Sequence, residues 1–145
     1  LLDPEDICKV RDAKLQMPDT VINGFCWLSD TEDPNSINIP KLVTTPDNKL
    51  IYMSRQALPG YKDQEKAPDR YKKQVCIYAF NLGELRAFAA HGGKTPLEEC
   101  EDIEILRLLE LGQQVQMVET AGNTLAVDVP EDVANVEAAL LERQN

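Results

Sequence analysis

Apolar residues along the chain fall into short β-branched runs separated by longer stretches with helical spacing. Thr20 to Leu28, T-V-I-N-G-F-C-W-L, reads as a strand, and the polar, proline-bearing S-D-T-E-D-P-N-S after it reads as a loop. Ile39 to Val43 and Leu50 to Met53 flank Thr45-Pro46-Asp47-Asn48, whose turn chemistry predicts a hairpin. Gln74 to Phe80, Q-V-C-I-Y-A-F, is a further strand, as is Val115 to Val118; Thr124 to Val127 is a short apolar approach to Asp128. The charged, turn-rich stretch from Pro59 to Lys73 reads as a mobile excursion.

Helices announce themselves by their starts. Asp3-Pro4-Glu5-Asp6 supplies a cap, a first-turn proline and two acids ahead of Ile7, Val10 and Leu15. Asn81 with Glu84, and Thr95 with Glu98, have capping-box spacing. The first box opens a helix carrying Leu82, Leu85 and Phe88, which should end at His91 before Gly92-Gly93. The second opens a helix with Leu97, Cys100, Ile103, Leu106 and Leu109, stopped by Gly112. Pro130-Glu131-Asp132 opens a last helix with Val133, Val136 and Leu140 inward. Strands alternating with helices predict an α/β sheet.

Composition narrows the choice. At 145 residues and 43% hydrophobic content the chain has the size of one domain with a sizeable core. A formal charge of -10 repels phosphate backbones and anionic lipid, and the basic run Asp69-Arg70-Tyr71-Lys72-Lys73 is too short and mixed to suggest nucleic acid. No stretch approaches the roughly 20 apolar residues of a membrane span, and the start lacks a signal-peptide pattern, so the expectation is a cytosolic protein. Cys8, Cys26, Cys76 and Cys100 form no C-x-x-C pair and have apolar neighbours, which favours buried free thiols. With His91 alone, a histidine metal cluster is impossible, and its place favours a basic side chain at a helix C-terminus.

Chemistry is sparser than structure. The glycines form neither G-x-G-x-x-G nor a P-loop. Asp128 follows an apolar run and precedes a helix, where open α/β sheets gather ligands, but spacing alone favours an acid at the helix start. Arg55, after the Leu50 to Met53 strand, could clamp a carboxylate through its planar fork or be an ordinary loop arginine. Tyr78 alternates with apolar residues and could bond a sugar, though packing is the commoner use. Glu104 lies in the acidic run E-E-C-E-D-I-E, most of it solvated.

Five segments in order, N-I-P-K-L-V (Asn38 to Val43), L-I-Y-M-S-R (Leu50 to Arg55), Q-V-C-I-Y-A-F (Gln74 to Phe80), P-L-E-E-C-E-D-I-E-I-L-R (Pro96 to Arg107) and A-V-D-V-P-E-D-V (Ala126 to Val133), together resemble the CMP-Kdo synthetases, the 3-deoxy-manno-octulosonate cytidylyltransferases. The resemblance implies a Rossmann-like nucleotidyltransferase sheet with flanking helices. It implies transfer of CMP from CTP to the anomeric hydroxyl of a 2-keto-3-deoxy sugar acid, with Mg²⁺ held by two aspartates, in a cytosolic homodimer that feeds lipopolysaccharide synthesis. By residue-for-residue matching, Asp128 falls at the later metal aspartate, and Arg55, Gln74, Tyr78 and Glu104 at sugar-acid contacts. Gln74 stands where the Kdo enzymes usually have a histidine and Ile105 where they commonly have a glutamine, which opens the site to acids such as 8-amino-Kdo, legionaminic or sialic-type sugars.

L-L-D-P-E-D-I resembles the segment just after the family's Q-G-D motif. Residues 1–145 are therefore expected to be the sugar-acid and metal-binding C-terminal part of the enzyme, without its CTP-binding half and inactive alone, with a separate N-terminal half as one possible partner. The competing reading is a non-catalytic binding or assembly module on the same scaffold.

Overall fold

The computed structural model describes residues 3–122 and 132–143. Its centre is a five-stranded sheet ordered β3-β2-β4-β1-β5, formed by β1 (Val21–Trp27), β2 (Lys41–Thr44), β3 (Leu50–Ser54), β4 (Lys72–Ala79) and β5 (Val115–Glu119). β1 runs parallel to β5 and antiparallel to β4; β2 pairs antiparallel with β3 and with β4. The hairpin predicted around Thr45–Asn48 is present. Asn48 adopts a left-handed φ of 60°, and the Thr45 and Lys49 backbones bond across the turn.

Both faces of the sheet are covered. On one, α1 (Pro4–Gln16) lays Val10 against Ile22, Cys26, Val75 and Ile77. On the other, Phe25, Leu42, Met53 and Met117 pack with Ile105, Leu106 and Leu108 of α4 (Ile105–Glu110). The period-2 alternation of β4 feeds both layers, because Val75 and Ile77 face α1 while Tyr78 and Phe80 join the opposite cluster. Burial of the side chains of these two clusters, at about 1.5–3 kcal/mol each, is the main force closing the two layers.

Two of the predicted caps are where the sequence placed them, whereas at Thr95 only the Glu98 carboxylate closes its half of the box, accepting from the Thr95 N–H. Asp3 accepts from the Glu5 N–H at the head of α1. At the head of α2 (Leu82–Ala90), Asn81 and Glu84 satisfy each other's backbone N–H groups at 2.8 and 2.7 Å. The buried Glu84 carboxylate also accepts from Lys14 Nζ at 2.7 Å, tying α1 to α2 across the end of the sheet. His91 is the C-cap of α2.

Three expectations need correction. The single helix drawn from Thr95 to Gly112 is two: α3 (Pro96–Glu101) ends at Asp102, whose φ of 52° is left-handed, and α4 restarts at Ile105. Arg55 holds the break, donating to the Glu101 and Asp102 carbonyls at the end of α3. The cysteines are not uniformly buried: Cys26 is, whereas Cys8, Cys76 and Cys100 are exposed. In α5 (Asp132–Arg143), Val133 and Leu140 are exposed rather than inward. The strand expected over Thr124 to Val127 lies outside the described residues.

α3 and α4 are joined by a buried ion pair. Arg107 donates Nε and Nη2 to the two Glu98 oxygens at 2.5 and 2.6 Å, and its guanidinium lies 3.8 Å from the centre of the Phe88 ring. Glu98 is 1% exposed, and its pKa is held below the ordinary carboxylate value by the Arg107 hydrogen bonds, against its own burial.

Truncating Arg107 leaves that carboxylate buried without a counter-charge. Arg107→Met should cost about 3 kcal/mol or more in urea unfolding, whereas the double change with Glu98→Gln should cost much less. The pair's contribution is fully present above the unfolded carboxylate pKa of about 4.3 and is lost as pH falls through the lower folded value. The stability gap between the parent chain and the double variant should therefore close below about pH 4.

Candidate functional site

The pairing of β1 with β4 breaks in mid-strand. Asn23 stands opposite Tyr78 and Gly24 opposite Val75, which leaves Cys76 and Ile77 without partners on β1. The fully buried Asn23 side chain fills the gap: its Nδ2 donates to the Val75 and Ile77 carbonyls, both at 3.0 Å. Its Oδ1 accepts from Gln74 Nε2 at 3.1 Å, and the same Nε2 donates to the Tyr78 hydroxyl at 3.1 Å. Both protons of the Gln74 amide are thereby used.

Tyr78 opens onto a cavity of about 430 Å³. Its walls are Cys76 and Phe80 of the same strand and its C-terminal flank, Leu85 and Phe88 of α2, and Ile105 and Leu108 of α4; Glu104, just before α4, stands at its rim. The Tyr78 and Phe80 rings stack with centroids 5.9 Å apart. Burial first, then the Cys76 thiol and the Glu104 carboxylate, push the Tyr78 phenol well above its usual pKa, so it is a neutral hydrogen-bonding group at any physiological pH.

Three of the sequence candidates, Gln74, Tyr78 and Glu104, thus lie along or beside one cavity. Arg55 is not among its walls. Its Nε donates to Glu101 O at 2.6 Å, Nη1 to Ile37 O at 2.8 Å and Nη2 to Asp102 O at 3.0 Å, which leaves two of its five N–H groups for other partners. Asp128 lies outside the described residues. Among those that are described, no group of three or more Asp, Glu, His or Cys side chains converges to hold a metal ion. The described residues do not by themselves fit a metal centre.

Two polar residues escaped the sequence reading. Lys41 is fully buried, with Nζ bonded to the Ser36 carbonyl at 2.6 Å and the Arg55 carbonyl at 2.5 Å, and burial lowers its pKa. It fastens the loop before β2 to the end of β3, next to the Arg55 clamp. Asp6, also fully buried, accepts from the Ala121 N–H at 2.9 Å and so anchors the turn that leaves β5. The available signal for each was a charged residue inside an otherwise apolar or capping pattern, with nothing local to name its partner.

No protein-family model matches the chain. A 3-deoxy-manno-octulosonate cytidylyltransferase from Acidobacterium capsulatum is 36% identical over 125 residues, which cover 86% of this chain and 49% of that protein. One from Syntrophus aciditrophicus is 33% identical over 148 aligned positions, covering 99% of this chain and 57% of that protein. The solved structure of CMP:2-keto-3-deoxy-manno-octonic acid synthetase complexed with CTP superposes with a TM-score of 0.87 at 26% identity, covering 98% of this chain and 58% of that one. The chain spans about half the length of the curated relatives it matches.

The Asn23 amide can be tested directly. Asn23→Ala leaves two buried carbonyls and the Gln74 amide short of partners and should lower stability by about 2–3 kcal/mol. Asn23→Asp, which at neutral pH turns an acceptor toward those carbonyls, should lower it further. Urea midpoints at neutral pH read both changes.

Proposed function

This chain is a relative of the 3-deoxy-manno-octulosonate cytidylyltransferases in sequence and in fold, and from that kinship we propose that it forms the sugar-acid side of a cytidylyltransferase. The intact protein joins CMP, taken from CTP, to a 2-keto-3-deoxy sugar acid. The observation that carries this reading is that Tyr78 and Glu104 line one cavity while Gln74 is bonded to Tyr78, all three being positions the resemblance assigns to the sugar acid.

In the proposed reaction the anomeric hydroxyl oxygen forms a bond to the α-phosphorus of CTP. The bond from that phosphorus to the bridging oxygen breaks, pyrophosphate leaves, and the hydroxyl proton is lost to solvent or a base. The chain's own contribution is positioning: Tyr78 donates to a sugar oxygen, Glu104 accepts from a sugar hydroxyl or amide, and the two N–H groups that Arg55 keeps free are its means of meeting a carboxylate. Mg²⁺ is the proposed cofactor, with Asp128 as one ligand; when bound it would neutralise phosphate charge and align the two anions. A homodimer and a cytosolic place follow the same resemblance. Among the described residues no helix is long and apolar enough to cross a membrane.

The decisive assay supplies CTP, Mg²⁺ and Kdo to the complete gene product, to residues 1–145 alone, and to these residues mixed with the preceding half. Transfer is expected from the complete protein or the mixture and not from residues 1–145 alone. Asp128→Asn in the complete protein should lower kcat by at least about 100-fold, in the range of a lost transition-state electrostatic contact, with an unchanged thermal midpoint. Unchanged turnover in that variant would remove Asp128 from the metal site, whereas no transfer from the complete protein, with binding and assembly unaltered by Asp128→Asn, would favour the non-catalytic module.

A further inference from the structure

We propose that the cavity selects a sugar acid bearing an N-acyl group on its distal carbons over one bearing hydroxyls alone; this rests on the cytidylyltransferase reading. The polar inventory of the cavity is short. Gln74 has spent both amide protons on Asn23 and Tyr78. The Tyr78 oxygen accepts from Gln74, and its own proton has beside it only the thiol of Cys76, a weak acceptor. The Glu104 carboxylate, at the rim, is an acceptor without a proton to give. The cavity therefore offers one available hydroxyl donor, one carboxylate acceptor and the weakly bonding Cys76 thiol, and the rest of its wall is apolar.

A polyhydroxyl tail suits this wall poorly. Each of its hydroxyls brings a donor and two acceptors, and those facing Phe80, Phe88 or Ile105 lose water without gaining a partner. An N-acyl group matches the inventory group for group. Its N–H meets Glu104, its carbonyl meets the Tyr78 hydroxyl, and its methyl packs on the rings of Phe80 and Phe88. Ile105 is 2% exposed and shows the ligand only carbon.

The test measures kcat/KM of the complete gene product with CTP and three acids: Kdo, its 8-acetamido-8-deoxy derivative, and N-acetylneuraminic acid. At least one N-acyl acid should exceed Kdo by about 10-fold or more, the scale on which sites reject ligands whose polar groups they leave unpaired. Ile105→Gln should move the ratio toward Kdo. Should that buried change unfold the protein, Phe80→Tyr, which adds a hydroxyl to the half-buried wall, should move it the same way, with circular dichroism melting to verify folding. Kdo turned over as well as or better than both N-acyl acids, or a ratio unmoved in folded Phe80→Tyr, overturns the proposal while the proposed function stands. Transfer to none of the three overturns the proposed function, and this inference with it.

Discussion

The side-chain amide of Asn23 is the group on which the arrangement of the cavity depends. A bulge in the middle of a sheet strands backbone carbonyls, and buried carbonyls must be met. Asn23 meets those of Val75 and Ile77 with one NH₂ group and holds Gln74 with its oxygen. The unpaired residues, Cys76 and Ile77, are even in number, so the alternation of β4 survives the bulge. Gln74 and Tyr78 stay on one face, close enough for a hydrogen bond. An odd insertion would carry half of these side chains to the α1 face.

The opposite wall is fixed by charge at a distance from the cavity itself. Arg55 reaches from the end of β3 to the carbonyls that close α3, and the left-handed Asp102 turns the chain so that Glu104 comes to the rim and Ile105 and Leu108 to the wall. Glu98 and Arg107 then lock α3 to α4, with Phe88 of α2 under the guanidinium. Lys41 holds the Arg55 carbonyl from within the core. A cavity made largely of flexible apolar side chains is thus framed by rigid polar joints.

This division explains what could be read in advance. Strands, the hairpin and the Asn81–Glu84 capping box depend on neighbours within a few residues, and T-V-I-N-G-F-C-W-L, Thr45–Asn48 and Asn81 with Glu84 state them locally. The split between α3 and α4 is not local: apolar residues at helical spacing run straight through it, and the group that meets the freed carbonyls is an arginine 46 positions away. Asn23 could be read as a strand residue but not as the filler of a bulge 52 and 54 positions on. The cysteines misled for a related reason. Cys76 alternates with buried Val75 and Ile77, which puts it on the other face, where the cavity leaves it uncovered. The resemblance brought Tyr78 and Glu104 forward together, whereas composition and spacing treated each as an ordinary packing or surface residue.

On the proposed function, charge sets the limit on what this part of the protein contributes to a reaction between two anions. The chain carries a net -10, and its buried or half-buried cations are committed internally: Lys14 to Glu84, Lys41 to two carbonyls, Lys72 to Thr44 and Asn48, Lys73 to Glu32, and Arg107 to Glu98. Arg55 differs in that its partners are backbone carbonyls at the surface, with two of its five N–H groups left for other partners. Releasing any of the others would leave a buried acid or carbonyl unmet, at a cost comparable to the binding energy gained. The negative charge of a triphosphate must therefore be met by groups other than these, and the cavity's neutral lining is suited to a different task. In that reading it discriminates the uncharged end of a sugar acid by shape and by the few hydrogen bonds it offers, while the charged end is held elsewhere. On the proposed function, selection and charge neutralisation are separated in space, and a change such as Ile105 in the wall would alter which sugar enters without disturbing how the phosphates are held.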